Sequence, residues 1–69
     1  MNDALIFAFM VQEANCRVKF EKLLSEAAIE ILKSAVSYDN DEQEECSKVA
    51  IAKLEEANRV LEEFISTLE

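Results

Sequence analysis

Tyr38-Asp39-Asn40-Asp41 is the one stretch of this 69-residue chain where turn-forming residues cluster, and its isolation decides the fold. Glycine and proline are both absent. No other position therefore supplies the positive φ or the blocked N–H with which chains commonly reverse direction. A β-rich fold of this length needs several tight turns, whereas a single turn leaves two long elements. Ala, Leu, Glu and Lys dominate on either side of it, and all are strong helix formers. The expected fold is all-α: one domain over residues 1–69, built as an antiparallel two-helix hairpin. The first helix is expected over about 3–37, the bend over about 38–41 and the second helix over about 41–68.

Downstream of the bend the start signals are dense. Asp39, Asn40 and Asp41 are each followed three positions later by Glu42, Gln43 and Glu44, so a capping box is open in three registers. The acids of that first turn also favour the positive end of the helix dipole. Beyond them Cys46, Ala50, Leu54, Ala57, Leu61, Phe64 and Leu68 recur at spacings of three and four, the seam of a coiled-coil-like contact. Val49, Ile51, Val60 and Ile65 widen that seam. Glu44–Lys48 and Glu55–Arg59 are i, i+4 pairs, each contributing roughly 0.2–0.5 kcal/mol if formed.

Upstream, Phe20, Leu24, Ala27, Ile31, Ala35 and Tyr38 form the facing stripe, with Leu23, Ala28, Ile29 and Leu32 beside it. Residues 4–11 (Ala-Leu-Ile-Phe-Ala-Phe-Met-Val) are apolar all round, which in a helix signals burial on every face. One continuous helix is the simplest reading, and a separate first helix kinked near Glu13 to Asn15 is the alternative. If the chain reverses near residue 39, facing residues sum to about 78, so Leu68 stands opposite Met10 and residues 1–9 overhang. Four large apolar side chains there, each able to contribute roughly 1.5–3 kcal/mol on burial, demand a cover. A homodimer in a four-helix arrangement supplies it, with Leu5, Ile6, Phe7, Phe9 and Met10 as interface residues. A fold-back of residues 1–12 over the hairpin is the rival.

Charge and chemistry narrow the function classes. The net charge is −8, and residues 38–69 hold ten acids against three bases. Such a surface opposes nucleic acid and anionic membrane and favours basic partners, or simply keeps a helix solvated. There is no histidine, so Cys16 and Cys46 have no base to activate them and zinc lacks a ligand set. The hairpin also places the two cysteines about 24 Å apart, beyond disulfide reach. The acidic run 39–45 lacks the glycine of a calcium loop. No catalytic, cofactor or metal site is expected, nor a secretory signal or a membrane span, and a cytoplasmic location is the default. The chain reads as a non-enzymatic interaction module. Tyr38 with Asp39, Asp41 and Glu42 is the candidate partner-binding cluster, the alternative being that Tyr38 caps the core. Arg17 and Arg59 face each other under the same pairing rule; they join the candidate set, with interhelical salt bridges to Glu13, Glu55 and Glu56 as their structural alternative.

In size, architecture and the bend Asp39-Asn40-Asp41-Glu42-Gln43 with Cys46 soon after, the chain resembles the Rop family of RNA-binding helical hairpin dimers. That resemblance implies the fold; its RNA-binding function is opposed by the charge. The length, the opening Met1-Asn2-Asp3-Ala4-Leu5-Ile6-Phe7, the lack of Gly and Pro and the acidic second helix resemble phage-encoded quorum-sensing anti-activators. This second resemblance implies a small helical dimer in the host cytoplasm that binds a LuxR-type transcription regulator and blocks its DNA binding. It also implies inhibition of a pilus assembly ATPase. An assembly adaptor docking through its apolar N-terminus is the competing expectation.

Overall fold

The computed structural model describes residues 3–68. Two helices, α1 (Asp3–Val36) and α2 (Asn40–Thr67), pack side by side as an antiparallel hairpin. The chain is all-α. α1 runs unbroken for 34 residues, so neither the kink near Glu13 nor a fold-back of its first turns is formed. Met1 and Asn2, the start of the expected overhang, lie outside the described residues.

A bend without glycine works because none of its residues needs a left-handed conformation. No described residue has positive φ. Asp39 is extended (φ −98°, ψ 118°), and its carboxylate accepts the Asp41 N–H at 2.9 Å. This settles which of the three capping registers is used, and a cap of this kind contributes about 1 kcal/mol. Gln43 does not reach back to the capping residue of its own helix. Its side-chain amide instead donates to the Ser37 carbonyl at 2.6 Å, satisfying an acceptor that α1 leaves open at its end. Ser37 ties the connection from within: its hydroxyl accepts the Asp39 N–H at 3.2 Å.

The contact face keeps most of the expected seam in α2 and is rotated from the expected one in α1. In α2 the half-buried and buried positions are Gln43, Cys46, Val49, Ala50, Lys53, Ala57, Val60, Leu61 and Phe64; in α1 Cys16, Phe20, Leu23, Ala27, Glu30 and Ser34 face them. Leu24, Ile31, Ala35 and Tyr38, assigned to the α1 seam, are exposed, as are Leu54 and Leu68 of α2. The expected and observed stripes share Phe20 and Ala27 in α1 and Cys46, Ala50, Ala57, Leu61 and Phe64 in α2, so periodicity alone could not separate them. Helices approach closely where side chains are small, and the shared alanines mark that approach. Ala27, Ala50 and Ala57, at 1%, 3% and 1% exposure, stand at that approach, with Cys46 beside them. Together these four are all the buried residues described, and no large side chain is fully buried.

The level at which the helices end is also corrected. The rings of Phe9 and Phe64 lie 5.9 Å apart, so Phe9, although 46% exposed, meets a partner in α2 and does not overhang the hairpin. Leu5, Ile6, Phe7 and Met10 remain exposed, Leu5 at 67% and Phe7 at 69%.

Among the described residues one ion pair joins the two helices: Lys53 Nζ meets Glu26 Oε2 at 2.7 Å. That hydrogen bond, ahead of the opposing desolvation, holds the Glu26 carboxyl below its ordinary value. A carboxylate with a lowered folded-state pKa adds stability above its unfolded pKa and loses it as pH falls through the folded one. Lys53→Met is therefore expected to lower the urea midpoint at about pH 7, and the difference from the parent should shrink as pH falls through the carboxylate range. Comparing the two chains at each pH cancels the general relief of negative charge on acidification.

Candidate functional site: the acidic bend

The three-residue connection 37–39 and the first turn of α2 bring Tyr38, Asp39, Asp41 and Glu42 together at one end of the rod. All four are exposed. Tyr38 is fully so, at 103% of its reference area. Its ring therefore covers no core, and the capping alternative does not hold within the hairpin. The reason lies in α1, whose last helical residue is Val36: Tyr38 falls beyond the helix and off its stripe. Asp39 has one carboxylate oxygen engaged by the Asp41 N–H. The backbone beneath is tied between the helices: the Ser34 hydroxyl donates to the Gln43 carbonyl at 3.2 Å and meets the Ser47 hydroxyl at 3.2 Å. Neither serine was among the residues singled out from sequence, although their spacing from the bend carried the signal.

Arg17 and Arg59 do not belong to this cluster. Arg17 is some twenty residues down α1 from the bend, about 30 Å at the helical rise. The two arginines do not bridge the helices either. Arg17 pairs with Glu13 at 2.9 Å and Arg59 with Glu56, both on their own helices. The Glu56 bond raises the Arg59 pKa and lowers that of Glu56. Of the two expected i, i+4 pairs in α2, Glu44–Lys48 forms at 3.4 Å, whereas Arg59 takes Glu56 in place of Glu55.

The remaining chemistry of the hairpin is spare. Both cysteines are free. Cys16 Sγ donates to the Val60 carbonyl at 3.8 Å, and burial, together with the nearby Glu30, pushes the Cys46 thiol up. A raised thiol pKa is the opposite of what a nucleophile needs. Two shallow grooves of about 240 and 360 Å³ run beside Lys19, one reaching Gln12 and Phe64 and the other Glu26 and Glu56. They are split by charged side chains and lack the enclosing apolar walls of ordinary ligand sites. Among the described residues no group of three or more His, Cys, Asp or Glu is arranged to hold a metal ion. No described helix is long and apolar enough to cross a membrane. What the bend offers is a projecting aromatic ring bordered by carboxylates, an arrangement suited to a basic protein surface. Comparison of the chain with protein-family models, with characterised proteins and with solved structures finds no match.

Proposed function

We propose that this chain is a non-enzymatic protein-binding inhibitor, an acidic helical dimer that occupies the basic DNA-binding surface of a host transcription regulator. Regulators of the LuxR type are the class that its resemblance to anti-activators brings forward, with a pilus assembly ATPase as a second target. The observation that carries the reading is the fully exposed Tyr38 set among Asp39, Asp41 and Glu42. A surface that grips DNA gathers Lys and Arg for phosphate contacts. A cluster of carboxylates on a hydrogen-bonded bend competes for those same groups, and an aromatic anchor adds apolar contact area that phosphate lacks.

The test is capture from host lysate on immobilised chain, followed by mass spectrometry. A DNA-binding regulator is expected to be retained at about 0.05 M salt and released as ionic strength rises tenfold. Adding the chain to that regulator should abolish its mobility shift on DNA. Capture of no DNA-binding protein, or of one whose DNA binding is undisturbed, would sink the proposal.

A further inference from the structure

The hairpin is one layer of two helices, with Cα extents of 59 × 17 × 9 Å, whereas folded domains pack at least two layers around a core. At about 100° of turn per residue, the contact stripes place the remaining side chains of both helices on two sides. One side is charged and carries the Glu26–Lys53 bridge and Glu56. The other is apolar: Met10, Leu24 and Ile31 from α1 lie there beside Leu54 and Ile65 from α2, all exposed. Because the helices are antiparallel, these two exposed stripes fall on the same side and form one surface.

We infer that a second copy of this chain packs on the Leu24–Ile31–Leu54–Ile65 side, running in the opposite direction, so that the two acidic bends stand at the far ends of a four-helix rod. Three observations select this occupant and direction. The broad side of the hairpin measures 59 × 17 Å between Cα atoms, on the order of 1,000 Å², against the roughly 800 Å² per partner that a stable interface buries. Placing two bends at one end would crowd ten carboxylates from residues 39–45; at opposite ends they lie several screening lengths apart. Finally, the apolar stripe of α1 is interrupted by the exposed Arg17 and Glu21, which lie on either side of residue 19, the middle of Asp3–Val36. Antiparallel crossing of the two first helices at that midpoint sets each Arg17 beside the Glu21 of the second copy.

This inference gives the dimer of the proposed function its face and direction. It is tested on the purified chain alone, so its failure leaves regulator binding untouched. Sedimentation equilibrium should show a dimer, and Leu24→Glu with Leu54→Glu should raise its dissociation constant at least about 100-fold. Val18→Glu, on the outer face of α1, should leave association unchanged. Spin labels at Asn40→Cys in a Cys16→Ser, Cys46→Ala background read the direction without disturbing the interface. Opposed hairpins place the labels on the order of 50 Å apart, and hairpins side by side place them within about 20 Å. A monomer, a dimer indifferent to both glutamates, or the short distance overturns the inference.

Discussion

Ala57→Asp is expected to abolish the hairpin. Ala57 is 1% exposed at the closest approach of the helices, with Ala27 and Ala50 the other near-fully buried residues there. A carboxylate at that position finds no cation designed to meet it and forces the helices apart. An uncompensated buried charge costs several kcal/mol, and overpacking adds about 1–3 kcal/mol. A chain of this length has on the order of 3–10 kcal/mol to lose. Circular dichroism at 222 nm should show the helical signal largely gone at neutral pH. The charge component is separable from the steric one, because burial raises a carboxyl pKa. Part of the signal should return as the variant is acidified below about pH 5, whereas an equally bulky Ala57→Leu would respond to pH as the parent does. A folded Ala57→Asp chain at neutral pH would mean that the helices are not in the contact described.

The largest functional effect is expected at Tyr38. Its side chain touches nothing that holds the hairpin together, so Tyr38→Ala should change the melting behaviour by no more than an ordinary surface substitution, within about 0.5 kcal/mol. If the bend is the binding surface, the same change removes an aromatic anchor, typically worth 2 kcal/mol or more, or about 30-fold in affinity. Titration calorimetry against the captured regulator measures it. Asp41→Asn and Glu42→Gln are the charge counterparts; they should weaken the complex chiefly by slowing association, and the loss should shrink as salt is added. Asp39 is the poorest choice for such a test, because its carboxylate also caps α2. An unchanged affinity for Tyr38→Ala would move the contact surface away from the bend.

How much of this was legible in the residues depends on the kind of signal each carried. A lone turn cluster in a chain without glycine or proline has one outcome, and the hairpin follows. The acids after Asp39 announce a helix start because they act locally, on backbone groups within one turn. Periodicity was weaker evidence. Leu24 and Leu54 fit an inner seam as well as Leu23 and Lys53 do, and the wholly apolar pair was the natural choice for a core. Ala27, Ala50 and Ala57 belong to both seams and could not decide between them; the helices meet with Leu23 and Lys53 turned inward and Leu24 and Leu54 left outside. Arg17 and Arg59 were misplaced for a related reason. Counting residues along a hairpin gives the level of a side chain but not the side it faces, and each arginine found a carboxylate one turn away on its own helix.

By itself, then, the amino-acid sequence determined the helices, the position of their single reversal and the charge gathered at it, all properties of neighbouring residues. Only the tertiary structure decided the rotation of each helix about its axis. From that rotation follow the Phe9–Phe64 contact and the division of the hairpin into a charged side and an apolar one. Rotation is set by how closely two backbones can approach, a property of pairs of residues distant in the chain, and no local pattern records it.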